Sequence, residues 1–211
     1  MDIAKKIDHT MLKAEAGKES ILRYCEEAKA NGFASVCVNT CYVPLVAKAL
    51  SGSNVKTCCV VGFPLGAMST KAKAFEAKQA VADGADEVDM VIQIGALKDK
   101  DYGYVREDIK AVVEASKPAI VKVIIETCLL TKEEIKKASA LSEEAGAHFV
   151  KTSTGFSTGG ATVEDVKLMK ESVSDKMKIK ASGGIRSREF AEELLAAGAD
   201  RLGVGNGLLL L

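Results

Sequence analysis

The sequence predicts an α/β fold, a (β/α)8 barrel, and three observations carry that reading. Eight short runs rich in Val and Ile alternate with longer amphipathic stretches. Their centres fall about 22 to 33 residues apart, the span of one compact strand–helix unit. No G-x-G-x-x-G turn, the usual announcement of an open doubly wound sheet, follows the first run. At 211 residues the chain lies near the short end of barrel lengths, so the loops are short and residues 1–211 read as a single domain.

The first candidate strand, Lys6–His9, is the shortest on apolar content. Lys18–Ala30 follows as a helix, with Ile21, Leu22, Cys25 and Ala28 on one face. The next strands are Ser35–Val38, Thr57–Val61, Glu87–Ile92 and Ile120–Ile125. Thr131 and Glu134 then form a capping box that opens a helix, each satisfying a backbone donor the helix leaves free. His148–Lys151 and Lys178–Ala181 are the sixth and seventh strands. A helix over Ser187–Ala197 stops at Gly198, and Arg201–Val204 completes the eight. Three helices close on similar text, at Gly84, Gly146 and Gly198, each glycine followed at once by a strand.

Composition narrows the function. The 29 basic residues balance the 29 acidic ones, so there is no electrostatic footprint for nucleic acid or an anionic membrane surface. Apolar residues make up 47% and charged ones 27%, a globular balance. No run reaches the roughly 20 apolar residues of a membrane span, and the first residues lack an apolar signal core; both point to the cytoplasm. Six cysteines, at 25, 37, 41, 58, 59 and 128, read as buried free thiols. With two histidines, His9 and His148, and no zinc spacing, metal chemistry is disfavoured.

Side chains alternate faces along a strand, and in a barrel the outward face meets the helices. Val36, Val38, Val88, Met90, Ile92, Val121, Val123, Ile125, Val150 and Ile179 therefore point outward. Ser35, Cys37, Asn39, Glu87, Asp89, Val91, Lys122, Ile124, Glu126, Phe149, Lys151, Ser153, Lys178, Lys180 and Ser182 point inward. Lys122, Lys151 and Lys180 thus meet Asp89 and Glu126 inside the barrel. Buried charges are rare unless paired or functional. One reading is a structural ion-pair network; the other is a catalytic cluster at the C-terminal strand ends, where barrels place their chemistry. Two nearby ammoniums disfavour each other, so one lysine can become a neutral amine able to form a Schiff base. Its iminium is an electron sink for making or breaking a carbon–carbon bond, with Asp89 moving protons.

Glycines end the last three strands: Gly155 after the sixth, Gly183-Gly184 after the seventh, and Gly203, Gly205 and Gly207 at the eighth. Glycine lets backbone N–H groups approach an anion, and barrels commonly bind phosphate there.

Taken in order, Ile7-Asp8-His9-Thr10-Met11-Leu12-Lys13, Ala34–Asn39, Val61–Gly66, Asp86–Val91, Val121–Thr127, Phe149–Phe156 and Lys180–Arg186 resemble the deoxyribose-phosphate aldolase family over nearly the whole chain. The resemblance implies a TIM barrel that reversibly cleaves 2-deoxy-D-ribose 5-phosphate to D-glyceraldehyde 3-phosphate and acetaldehyde without metal or organic cofactor. It implies Lys151 as the Schiff-base lysine, Lys180 as the neighbour that lowers its pKa, and Asp89 as the acid/base, working with water. Asp8, Thr10, Cys37, Lys122 and Thr154 match positions lining the substrate pocket. Gly155, Gly183, Gly184 and Gly203 match the phosphate cradle, with Gly205 and Asn206 standing where the family usually has small hydroxyl residues. The bond expected to break is C3–C4 of the sugar. The expected partner is a small sugar phosphate, with no nucleic acid or membrane, and a homodimer or other homo-oligomer is expected.

The other residues have plainer readings. Cys37 reads as a small core residue rather than a nucleophile, His9 as packed or capping, His148 as a strand start, Cys58-Cys59 as core, and the Lys/Glu-rich helix faces as solvated surface. Two other functions fit the same residues. One is a phosphate-binding isomerase or synthase using Asp89 and Glu126 as acid and base. The other is a sugar-phosphate binding protein without turnover.

Overall fold

The structure, a computed structural model, describes residues 2–211. Eight parallel strands close on themselves: β1 (Ile7–Met11), β2 (Ser35–Val38), β3 (Lys56–Val61), β4 (Glu87–Val91), β5 (Ile120–Ile124), β6 (Phe149–Lys151), β7 (Lys178–Ser182) and β8 (Arg201–Val204), with β8 pairing back onto β1. The helices are α1 (Lys18–Asn31), α2 (Val43–Leu50), α3 (Thr70–Ala82), α4 (Ile94–Lys98), α5 (Tyr102–Ala115), α6 (Lys132–Glu144), α7 (Val163–Glu171) and α8 (Arg188–Ala196). The β4–β5 crossover holds two of them, and a 3-10 turn over Gly207–Leu210 follows β8.

Local chemistry sets the boundaries. Thr131 accepts from the Glu134 backbone N–H while the Glu134 carboxylate accepts from that of Thr131, the reciprocal capping box expected. Ser69, Thr162 and Ser187 cap α3, α7 and α8 in the same way through one side-chain oxygen each. Gly84, Gly146 and Gly198 all hold positive φ, as the three repeated helix-to-strand turns require. The first strand starts one residue later than expected and runs on to Met11, because Lys6 belongs to a 3-10 turn over Ala4–Lys6. The expected ends at Ile92 and Ile125 overshoot β4 and β5 by one residue.

Two apolar layers follow from strand alternation. The larger lies between strands and helices and holds Val36, Val38, Val88, Met90, Ile92, Val121, Val123, Ile125, Val150, Ile179, Leu202 and Val204, the outward set. Burying each such side chain is worth about 1.5–3 kcal/mol. The smaller lies inside the barrel and holds only Leu12, Cys37, Cys58 and Val60, with Phe63 against it. Barrels ordinarily fill their interior with branched aliphatic residues. Here much of that volume belongs to charged side chains.

Two inward positions lie outside the charged interior. Lys178 opens β7 at the N-terminal mouth, is exposed, and lays its ammonium over the Phe149 ring at 5.6 Å. Glu126 lies beyond the end of β5 with φ +57, so strand alternation no longer orients it. All six cysteines are free, but Cys41 is exposed and Cys128 half-buried, contrary to the expectation that all are buried.

Candidate active site

Register brings the charges together. β4 sets Asp89 beside Lys122 of β5, and β6 sets Lys151 beside Lys180 of β7, which pairs in turn with Arg201 of β8. Asp89 is the hub. Its Oδ1 accepts from Lys122 Nζ at 2.7 Å, and its Oδ2 accepts from Lys151 Nζ at 2.8 Å and Lys180 Nζ at 2.7 Å. Asp8 on β1 is a second anion, with Oδ2 at 2.6 Å from Lys180 Nζ and 3.6 Å from Lys122 Nζ. Its Oδ1 accepts from Ser35 Oγ at 2.6 Å and from the Arg201 guanidinium. Glu87 is a third, 2.6 Å from Lys122 Nζ and bound by both terminal nitrogens of Arg201 at 3.0 and 3.2 Å.

The electrostatics follow from this packing. Burial alone would raise the Asp89 carboxyl, but Lys122, Lys151 and Lys180 outweigh it and hold the group well below its ordinary range. Asp8 behaves likewise, held down by Lys180, Arg201 and Lys122 against its burial. Burial would favour neutral lysines, yet Asp89 and Asp8 raise Lys122, and Asp8 and Asp89 raise Lys180. The expected effect of one lysine on its neighbour is therefore not the whole account. Carboxylates thus favour the ammonium form of Lys122 and Lys180.

Lys151 is different. It contacts one carboxylate where the other lysines contact two or three, and its side chain is 3% exposed where theirs are 0%. It is also the cluster lysine that reaches a cavity of about 490 Å³ at the C-terminal mouth. The ends of β1, β6, β7 and β8 line that cavity, through Thr10, Thr154, Ser182 and the glycine loops among others. Gly155, Gly183, Gly184, Gly203, Gly205 and Asn206 all lie on its wall. Gly183 and Gly184 hold φ of +84 and +78, so consecutive left-handed residues turn the chain across the opening. Among the described residues, the N–H groups of Gly155, Gly183, Gly184, Gly205 and Asn206 have no protein acceptor.

Of the other expected pocket residues, Thr10 and Thr154 line the cavity, whereas Asp8, Cys37 and Lys122 lie beneath it, fully buried. Thr154 Oγ1 donates to Glu126 Oε2, and its N–H donates to Oε1 at 3.1 Å. Both carboxylate oxygens of Glu126 therefore face the loop after β6 rather than the lysines. His9 is packed outside the barrel, stacked on Tyr24 at 4.0 Å and paired with Glu27 at 2.8 Å. His148, exposed before β6, accepts from the Val121 N–H at 3.1 Å.

Sequence reasoning missed several residues. Arg201 was legible, since the alternation that turns Leu202 and Val204 outward turns Arg201 inward. Lys13 and Arg186 line the cavity as exposed cations, and among the described residues no carboxylate lines it; nothing in their spacing marks them. Cys58 reads as core yet donates to Asp89 Oδ1 at 3.3 Å and receives Lys122 Nζ at 3.3 Å. Burial raises its thiol well above the ordinary range, while its hydrogen bond to Cys37 pulls that thiol down. Cys37 Sγ, Cys58 Sγ and an Asp89 oxygen lie within 4.8 Å of one another. Three ammoniums already hold that carboxylate, which leaves two thiols, a poor set for a metal ion.

A model of the DeoC/LacD family aldolases matches residues 3–211. Deoxyribose-phosphate aldolase of Clostridium novyi is 62% identical, across 100% of this chain and 96% of the relative. That of Finegoldia magna is 61% identical, across 100% and 99%. Among solved structures, "QR15, an Aldolase" superposes with a TM-score of 0.95 at 43% identity, covering 100% of this chain and 94% of that one. The tetrameric deoxyribose phosphate aldolase of Aeropyrum pernix gives 0.92 at 32% identity, covering 99% and 88%.

Proposed function

Because the chain belongs to the DeoC/LacD family of aldolases, we propose that its barrel is a deoxyribose-phosphate aldolase with Lys151 as the Schiff-base lysine. It is a class I aldolase, reversibly cleaving 2-deoxy-D-ribose 5-phosphate to D-glyceraldehyde 3-phosphate and acetaldehyde. One observation supports the lysine assignment above others. Three lysines converge on Asp89, and Lys151 alone of them opens on the cavity.

The chemistry runs as follows. Lys151 Nζ attacks the C1 aldehyde as the neutral amine, giving a carbinolamine. Loss of water leaves the iminium. A base formed by Asp89 and a water takes the proton of the C3 hydroxyl as C3 becomes a carbonyl. The bond broken is C2–C3, a correction to the C3–C4 bond expected above. Only C2, next to the iminium carbon, can pass its electron pair into an enamine, and only this cut leaves a two-carbon aldehyde. Glyceraldehyde 3-phosphate departs, C2 of the enamine takes a proton, and water releases acetaldehyde and the amine. Lys180 and Lys122 stay charged throughout and hold Asp89 in place. The glycine N–H groups, with Lys13 and Arg186 at the lip, bind the phosphate and hold C1 against Lys151. The iminium supplies the electron sink, so the steps ask for no metal or organic cofactor.

Incubation with 2-deoxyribose 5-phosphate and borohydride, followed by peptide mass spectrometry, tests the assignment. The expected result is one reduced adduct, on Lys151, lost in Lys151→Leu. An adduct on Lys122 or Lys180, or none with the sugar phosphate still bound, overturns it. We also infer a homo-oligomer, supported by the tetrameric Aeropyrum pernix relative and by exposed Leu65 and Phe75; light scattering checks the mass. A cytoplasmic location belongs to the same proposal. Among the described residues no helix is long and apolar enough to cross a membrane.

A further inference from the structure

Three consecutive residues after β6 use their backbone N–H groups unequally. The Thr154 N–H donates to Glu126 Oε1 at 3.1 Å, and the Phe156 N–H donates to Thr154 Oγ1 at 3.0 Å. Between them, the N–H of Gly155 has no protein acceptor among the described residues, and Gly155 lines the cavity at the C-terminal mouth. Its φ of +83 turns the chain there. The Thr154 hydroxyl sends its own proton to Glu126 Oε2, which leaves its lone pairs for Phe156. One buried carboxylate thus accounts for both flanking N–H groups, one directly and one through a hydroxyl. The single N–H left between them is free for an anion.

Glu126 does not itself meet a ligand. It is buried and does not line the cavity. Its backbone is held at φ +57 and ψ +66, left-handed values that a residue with a Cβ takes only where its surroundings impose them. That turn ends β5 and carries the carboxylate to the neighbouring loop. Next along, the Thr127 N–H donates to the Thr152 carbonyl at 2.9 Å and fastens the same two segments a second time. A Cβ at Gly159 would lie 2.8 Å from Cys128 Cβ, so the segment after β6 runs flush against the 3-10 turn over Thr127–Leu129. On its other side that segment meets the glycine loop after β7, where the Ala161 N–H is 3.0 Å from both the Ser182 and the Gly183 carbonyl oxygens.

We propose that Glu126 is a positioning residue for phosphate recognition: it fixes the Thr154–Phe156 turn so that the Gly155 N–H faces the phosphate of the sugar. Buried behind Thr154, it governs the preference for phosphorylated over unphosphorylated sugar rather than the bond-breaking steps. This rests on the reading of the barrel as an aldolase for 2-deoxyribose 5-phosphate. It differs from the acid or base part that Glu126 would play in an isomerase or synthase.

The test compares cleavage of 2-deoxyribose 5-phosphate and of 2-deoxyribose by the full chain, in wild type and in Glu126→Gln. Glutamine keeps the volume and one acceptor, but its NH2 cannot accept the Thr154 proton. The ratio of kcat/KM for the phosphorylated over the unphosphorylated sugar should fall about 10- to 100-fold, as for a binding group displaced by up to roughly 1 Å. The change should sit in KM for the phosphorylated sugar. Thr154→Val breaks the relay from its other end and should lower the same ratio, whereas Thr154→Ser keeps the hydroxyl and should stay near wild type. The double variant Glu126→Gln/Thr154→Val should lose little more than the worse single change. Equal losses on both sugars, with a limb missing from the pH profile, would make Glu126 an acid or base. Equal losses with an unaltered profile, or a wild-type ratio, would leave it a merely structural group. Each of these overturns the proposal. If Glu126→Gln does not fold, Thr154→Val decides: a wild-type ratio there overturns the relay.

A second readout needs no turnover. Hydrogen–deuterium exchange across residues 152–157 is followed with and without inorganic phosphate. Phosphate should slow exchange in wild type, and half-protection should need about 10-fold more phosphate or beyond in Glu126→Gln. No protection in wild type, or equal protection in both, overturns the proposal. The two readings fail separately. If wild type does not cleave the sugar phosphate, the aldolase reading falls, while protection by phosphate and its loss in Glu126→Gln still stand.

Discussion

Gly203 on β8 is where one methyl group should disturb both fold and chemistry. A Cβ built there would lie 2.8 Å from Ser182 Cβ and 3.1 Å from Lys180 Cε, inside the 3.5–4.0 Å at which carbon atoms pack. Neither neighbour can yield cheaply. Ser182 is tied to the adjoining strand by its N–H to Thr152 Oγ1 at 3.1 Å and its Oγ to the Ser153 carbonyl at 2.6 Å. Lys180 has its ammonium pinned 2.6 Å from Asp8 and 2.7 Å from Asp89. Gly203→Ala must therefore spread β7 from β8 or displace the Lys180 ammonium. Overpacking of this kind costs about 1–3 kcal/mol. At about 2–4 °C per kcal/mol for a chain of this size, Tm should fall by roughly 2–12 °C. A displacement approaching 1 Å in the group that holds Asp89 should lower kcat by about 10- to 100-fold. Gly205→Ala is the control, since nothing lies within 4 Å of its Cβ. Its Tm should stay within about 1–2 °C of wild type, in line with the small cost of unhindered substitutions. Paired calorimetric scans and aldol-cleavage kinetics decide the matter. If Gly203→Ala keeps wild-type Tm and kcat, the tight β7–β8 contact does not constrain Lys180, and the argument fails.

Three further outcomes follow from the same contacts. Asp89→Asn removes the shared counter-ion of three ammoniums and should cost about 3–5 kcal/mol in urea unfolding at pH 7. The loss should shrink toward pH 10, because in the variant the buried lysines, without that carboxylate, give up their protons at less cost as pH rises; a loss that grows with pH contradicts the pairing. Asp8 and Asp89 are held below the ordinary carboxylate range, so between those values and the unfolded value of about 3.9 the unfolded chain binds more protons. Their contribution to stability should be complete above about pH 4 and lost as pH falls further. A urea midpoint that is flat from pH 5 to pH 2.5 argues against it. Thr131→Ala breaks the capping box of α6 and should lower stability by about 1 kcal/mol without changing kcat; loss of activity at unchanged stability would show a role beyond the cap.

The lysine cluster shows how far alternation carries and where it stops. Parity turns Lys122, Lys151 and Lys180 to one interior because each sits on an even-period strand. It cannot rank them, because rank depends on how many carboxylates reach each ammonium and on which one meets the cavity. The expectation rested on repulsion between two lysines. Asp8, Glu87 and Arg201 enter from β1, β4 and β8 and change the balance.

Other features divide in the same way. The period-2 runs, the Thr131–Glu134 box and the glycine stops at 84, 146 and 198 were legible in the sequence because each is a local device, complete within a few residues. The inward charges followed from the strands alone, as did the glycine-rich ends of β6, β7 and β8. Only the tertiary structure decided that Glu126 faces Thr154 and that Lys178 stacks on Phe149 at the open mouth. It alone placed Asp8, Cys37 and Lys122 below the cavity and brought Lys13 and Arg186 to its lip. Barrel closure is the physical reason. It joins β8 to β1 and sets residues almost two hundred positions apart within hydrogen-bond distance, as with Arg201 Nε and Asp8 Oδ1 at 2.9 Å. No local pattern in the chain encodes such a distance.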